Sequence, residues 1–158
     1  MMAARTLQTY VDRLGLDWVG DGPVPAVVAA VIVDTPHLLA SLIELGHDVH
    51  ERTKGGRNAC AIAGRLGREA CLKAMGNAGV DMSTADSEGR TAAWAAAADG
   101  HEGCLRLLHG FECEMCQPDK DGWTPACAAA DEGHEGCLSL LHGFGCNLDQ
   151  PNKIGATP

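Results

Sequence analysis

Short apolar stretches separated by glycine-containing polar turns recur along most of the chain. In the segment 121–153, an alanine-rich run begins after Thr124 and Pro125 and extends to about Gly133. A threonine hydroxyl caps free backbone N–H groups, and proline suits the first turn of a helix. The pattern therefore predicts a helix of about two turns that starts at Thr124.

A second helix is predicted at about 135–142, where Cys137, Leu138 and Leu141 recur at the spacing of one helical face. Gly143 and Gly145 follow and permit the chain to turn away from the helix. Helices this short are unstable alone, so each pair must bury its apolar faces against neighbouring pairs.

The same unit repeats at an offset of 33 residues. The segment DSEGRTAAWAAAADGHEGCLRLLHGFECEM aligns with DKDGWTPACAAADEGHEGCLSLLHGFGCNL one period later. Weaker copies precede it, and a further unit begins at 154–158. The positions that recur between the two clearest copies are Gly89, Thr91, Gly100, His101, Cys104, Leu105, Leu108 and Phe111, which correspond to Gly122, Thr124, Gly133, His134, Cys137, Leu138, Leu141 and Phe144.

A unit of this length with the sequence GWTPACAAADEGHEGCLSLLHGFGCNL closely resembles the ankyrin repeat. The resemblance implies an all-α solenoid of helix-turn-helix units joined by β-hairpin-like loops. Some positions depart from the usual pattern, notably Trp94 and Cys127 in place of histidine, and Glu112 in place of a turn glycine. The predicted units are 21–54, 55–87, 88–120, 121–153 and a partial fifth at 154–158.

The two ends of the chain are predicted separately from the complete repeats. Residues 1–20 lie outside the repeat, and Leu7, Tyr10, Val11 and Leu14 share one helical face, which predicts an N-terminal capping helix; a frayed tail is the alternative. After Asn147 the sequence supplies a hairpin and no further helix. Because a repeat stack needs a polar cap, we expect a longer array or a partner that covers this end.

Charge is concentrated in the second half of the chain. Residues 1–82 carry 8 Lys and Arg against 9 Asp and Glu, whereas residues 83–158 carry 4 against 12. An acidic surface repels phosphate backbones, which argues against a nucleic acid partner and favours a partner with a basic surface. An acidic face that is merely solvated is the alternative. No segment approaches the roughly 20 apolar residues that cross a membrane, and we expect no direct membrane insertion.

Eight cysteines invite a metal or disulfide interpretation. Cys71, Cys104 and Cys137 occupy equivalent inward positions about one repeat apart, which is too far for disulfides and predicts core packing. Free thiols in such number favour an intracellular reducing compartment, although no targeting signal is readable. Cys60, Cys113, Cys127 and Cys146 likewise occupy positions that are normally small and apolar.

One cluster has metal-ligand spacing. His109, Cys113 and Cys116 form H-x3-C-x2-C, a possible zinc half-site, but no second half-site follows. A turn with incidental thiols is the simpler interpretation, and a zinc- or redox-responsive module stays a minor alternative. In the ankyrin pattern the histidine represented by His101 and His134 bonds backbone. No catalytic or cofactor motif is present, so we expect neither an enzyme nor a bound cofactor.

The resemblance implies that a protein partner binds the concave face formed by the hairpin tips and first helices. Trp123 is the strongest candidate, because tryptophan and arginine dominate interface hot spots. A structural brace within a larger assembly, covered at its C-terminal end by a neighbour, is the alternative function. The candidate partner-binding residues are Arg57, Arg65, Leu66, Arg90, Asp99, Trp123, Asp131 and Glu132.

Overall fold

The computed structural model describes residues 24–158, which contain eight α-helices and no β-strand. This confirms the all-α fold, whereas the predicted N-terminal capping helix lies outside the described residues. The helices are α1 (Ala26–Ile32), α2 (Pro36–Glu44), α3 (Ala59–Arg65), α4 (Glu69–Asn77), α5 (Ala92–Ala98), α6 (Glu102–Gly110), α7 (Pro125–Asp131) and α8 (Glu135–Gly143).

The helices pack as a two-layer stack of helix pairs. The first helices form one layer, in which α1 contacts α3, α3 contacts α5 and α5 contacts α7. The second helices form the other layer, with α2, α4, α6 and α8 in the same order. One helix pair falls in each of the four predicted units, whose exact boundaries stay a prediction. Within residues 24–158, no helix is both long enough and apolar enough to span a bilayer.

Side-chain caps start the first helices of three units. Thr124 accepts a hydrogen bond from the backbone N–H of Cys127 at 3.1 Å, and Pro125 occupies the first turn. Thr91 caps α5 in the same way, and Asn58 replaces the threonine at α3. The predicted helix start at Thr124 is therefore confirmed, and the Asn58 departure keeps the cap because an amide oxygen accepts the same bond.

Hairpin-like loops join successive units, and each loop is closed by backbone hydrogen bonds. In the third loop, Asp119 N–H donates to the Trp123 carbonyl and Gly122 N–H donates to the Asp119 carbonyl. Neighbouring loops are also bonded to each other, as between Lys120 N–H and the Glu88 carbonyl. The loop tips therefore form a continuous row along one edge of the stack.

In two of the helix pairs, the turn between the helices forms a hydrogen bond to the preceding unit. His101 Nε2 lies 2.9 Å from the Arg65 carbonyl oxygen, and Arg68, at the equivalent position, donates to the Ile32 carbonyl. The His101 ring also lies against Gly67, which has a φ of +66° and no room for a β-carbon. The predicted backbone role of this histidine is confirmed for His101.

The core is built from small residues and leucines. The thiol-bearing Cys71, Cys104 and Cys137 are all buried, which confirms their predicted packing role. Leu141 is buried as predicted, but Leu138 is only half-buried. Its equivalent Leu105 is fully buried, whereas no helix follows α8 within the described residues to cover Leu138.

Two cysteines do not follow the predicted pattern. Cys116 and Cys146 form a disulfide with their α-carbons 5.4 Å apart, and the other six cysteines are free. The treatment of Cys146 as a free apolar filler was therefore wrong. The distance argument considered equivalent positions, but this bond joins non-equivalent positions of adjacent loops, which the stacking brings closer together.

Candidate partner-binding groove

A row of arginine–aspartate pairs holds the loop tips together. Arg57 in one loop forms an ion pair with Asp86 in the next loop, and Asp86 is fully buried. One unit later, Arg90 approaches Asp119, with 3.9 Å between Nε and a carboxylate oxygen. The other oxygen of Asp119 accepts hydrogen bonds from the backbone of its own loop. Each aspartate thus orders its loop and binds the preceding arginine.

The row changes at its third member. Trp123 stands where an arginine would be expected, and Asn152 stands where the aspartate would be. Asn152 Oδ1 still accepts from the N–H groups of Ile154 and Ala156, so the loop keeps its form. Its Nδ2, which replaces the oxygen that binds arginine elsewhere, is buried without a hydrogen-bond partner in the described residues. At these two positions the row therefore lacks both charges of the arginine–aspartate ion pair.

An open groove of about 250 Å³ lies between the third and fourth units, beside this change. Loop residues and the helices α5 and α7 line it together. Asp131 and Glu132, at the end of α7, are exposed along it, and Trp123 is partly buried. The lining residues are Arg90, Trp94, Ala98, Asp119, Asp121, Trp123, Ala128, Asp131 and Glu132.

One wall of the groove is fixed by contacts of Trp94. The Arg90 guanidinium lies over the Trp94 ring, 4.8 Å from its centroid, which is a cation–π distance. The Trp94 indole N–H donates to the Trp123 backbone carbonyl at 2.9 Å. Because these contacts link the two units across the groove, the Trp123 backbone is held in place independently of its side chain.

Four of the eight predicted residues meet at the groove: Arg90, Trp123, Asp131 and Glu132. The other four lie outside its lining. Arg57 is largely buried in its ion pair with Asp86. Arg65 and Asp99 lie 3.5 Å apart in an ion pair of their own, and Leu66 is half-buried against the core. The Trp123 side chain is partly buried, and its backbone carbonyl accepts the hydrogen bond from Trp94.

The sequence interpretation missed Trp94, Asp119 and Asp121 as groove residues. Trp94 was treated only as a departure at the usual histidine position, but its indole N–H donates to the Trp123 backbone carbonyl and its ring forms a wall of the groove. The sequence did contain a signal for the groove. Trp94 lies in a first helix and Trp123 lies in the loop before the next first helix, and residues of adjacent units stack in register. Two large aromatic residues on one face of an alanine-rich layer mark a candidate groove.

The cysteines are the remaining side chains with possible chemistry, and the structure leaves most of them poorly suited to react. Burial raises the pKa of the Cys60 and Cys104 thiols to about 12, and burial raises that of Cys113 as well. Cys116, from the suggested zinc half-site, is committed to the disulfide. Among residues 24–158, no three His, Cys, Asp or Glu side chains group as a metal site would require.

The fold and groove define a helical repeat protein with an open groove lined by side chains. Residues 94–158 match the family model of ankyrin repeats (3 copies). This part of the chain is therefore similar to ankyrin repeats, which are generally protein–protein interaction modules and typically non-catalytic. The comparison with curated proteins finds no match for this chain.

Proposed function

We propose that this chain is a non-catalytic module that binds a protein partner with a basic surface through its concave face, centred on the groove between the third and fourth units. The observation that supports it most is the change at Trp123. A row of internal ion pairs gives way there to a tryptophan that lines an open groove. Tryptophan concentrates binding energy at interfaces, and the loop needs no tryptophan to keep its form.

Affinity capture from the native source tests this proposal, with Trp123→Ala as the variant. Phe144→Ala is the matched control, because Phe144 is also a half-buried aromatic residue but stacks on His109, 4.0 Å between ring centroids, away from the groove. Partners that bind the intact chain and the control but are lost with Trp123→Ala support the concave face. Equal retention by both variants contradicts it.

A structural brace is the second candidate. The exposed side chain of Ile154, at the last loop, is 83% accessible and supports a contact beyond the fourth unit. In a brace, Ile154→Asp would release the partner while Trp123→Ala would retain it. The opposite result in the same capture experiment favours the groove.

A further inference from the structure

The groove carries an excess of negative charge that the chain does not neutralise. Among its described lining residues, Asp119, Asp121, Asp131 and Glu132 carry carboxylates and Arg90 is the basic residue. Arg90 is already engaged by Asp119. Within residues 24–158, no basic side chain lies within ion-pair distance of the other three carboxylates. A ligand for this groove is therefore expected to be cationic.

The chain itself shows how this surface holds a cation. Arg90 rests on the Trp94 ring and approaches a carboxylate at its edge. One unit later, Trp123 offers a second indole at the groove, and Asp131 and Glu132 offer carboxylates near it. Aromatic surface and carboxylates therefore occur together again in the groove lining, although Trp123 holds the repeat position of Arg90 and not that of Trp94.

Resting on the function proposed above, we propose that the groove receives an arginine side chain from an extended basic segment of the protein partner. Its guanidinium stacks on the Trp123 indole and pairs with Asp131 and Glu132. A groove of about 250 Å³ is smaller than the pockets that enclose drug-sized ligands, and it suits one long side chain. Arginine is favoured over lysine because its planar, weakly hydrated group stacks on aromatic faces and forms paired hydrogen bonds with carboxylates.

A peptide titration tests this inference. The probe is a blocked Gly-Gly-Arg-Gly-Gly peptide, followed by the nuclear magnetic resonance signals of the tryptophan indole N–H groups. Matched peptides carry lysine or the uncharged arginine analogue citrulline. One stacked and paired side chain should give a Kd of about 1–10 mM. We expect the Trp123 signal to shift most with arginine, less with lysine and least with citrulline, and the shift to weaken at high salt.

Charge variants locate the site. Asp131→Asn with Glu132→Gln should weaken arginine peptide binding about tenfold, because both charge-assisted contacts lose their charge. The control, Glu112→Gln with Asp149→Asn, removes two exposed negative charges outside the groove lining and should change affinity less than about twofold. Equal weakening by both pairs would show general charge attraction and overturn the inference.

Failure of this inference can be told apart from failure of the proposed function. If all three peptides give the same response, or none shifts the Trp123 signal, the arginine site is wrong. Should Trp123→Ala nevertheless lose its captured partner, the concave face still binds protein by other contacts. If the peptide binds as expected but capture is unaffected by Trp123→Ala, the cation site is real and is not the partner surface.

Discussion

Glu112 adopts a backbone conformation that glycine supplies at the same place in other units. Its φ is +59°, whereas Gly46, Gly79 and Gly145 have φ values of +82°, +73° and +90°. A side chain with a β-carbon is strained in this left-handed region. The departure noted in the sequence therefore has a structural cost without a change in fold.

Replacing Glu112 tests that cost. We expect Glu112→Gly to raise the free energy of unfolding by about 0.5–1 kcal/mol, because relief of strain exceeds the added freedom of the unfolded chain. Glu112→Gln, which removes the charge and keeps the strain, should leave stability unchanged. Conversely, Gly79→Ala should destabilise by about 1 kcal/mol, since no atom crowds that position and only its φ opposes a β-carbon. Urea unfolding measures the free energy of unfolding of all three variants. A Glu112→Gly variant that is less stable than the wild type would contradict the account.

Buried thiols predict a loss of stability at high pH. Burial raises the pKa of the Cys104 thiol from its ordinary value of 9.0 to about 12. As the pH rises above 9.0, the unfolded chain loses this proton before the folded chain does, so unfolding becomes more favourable. The stabilisation is complete below pH 9.0 and is lost progressively towards pH 12.

Unfolding in urea at about pH 7 and pH 10.5 measures this effect. The wild type should lose more stability between the two than Cys104→Val, which has no proton to lose. Parallel losses in both proteins would show that the Cys104 thiol does not contribute.

At the scale of helices, the register of α6 decides which leucine enters the core. Leu108 is fully buried, whereas its neighbour Leu107 is partly exposed. Leu108→Ala should cost about 2–5 kcal/mol of unfolding free energy through loss of burial and the remaining cavity. Leu107→Ala is the matched control and should cost less. Thermal unfolding that is affected more by the control would mean that the helix register is wrong.

The disulfide links two adjacent loops rather than two helices. Cys116 and Cys146 are separated by 30 residues along the chain, and the bond restricts the unfolded chain over that span. Reduction, or Cys116→Ser with Cys146→Ser, should lower the free energy of unfolding by about 2–4 kcal/mol. Peptide mapping without reductant should recover the two residues in one linked fragment. Recovery of eight free thiols from the folded protein would contradict the bond.

Across the whole molecule, regular features were more predictable from sequence than local ones. Recurring residues predict the 33-residue repeat, the helix pairs and the capping threonines, because equivalent residues make equivalent packing contacts in each unit. The cysteine bond and the full lining of the groove could not be found from recurring residues. Both depend on non-equivalent residues of adjacent units, and their contacts require the actual stacking geometry.

The candidate site shows the same limit in its arginines. Arg57 and Arg90 occupy the same repeat position and were both assigned to the partner surface. Only the folded chain shows that Asp86 engages Arg57 in a largely buried pair, whereas Arg90 forms a wall of the groove. The paired change to Trp123 and Asn152 is visible in the sequence, but its meaning depends on knowing that these two positions face each other between loops.

That pair supplies the most direct test of the account. Trp123→Arg with Asn152→Asp restores the arginine–aspartate pair that the two preceding units already contain, so the double variant should be within about 1 kcal/mol of wild-type stability or above it. The groove loses the Trp123 indole, and affinity for the captured partner should fall by at least about 2 kcal/mol, roughly 30-fold. Calorimetric titration of that partner against both proteins, beside their unfolding curves, measures the two effects separately. A stable double variant that binds the partner as tightly as the wild type would contradict a partner-binding groove at Trp123.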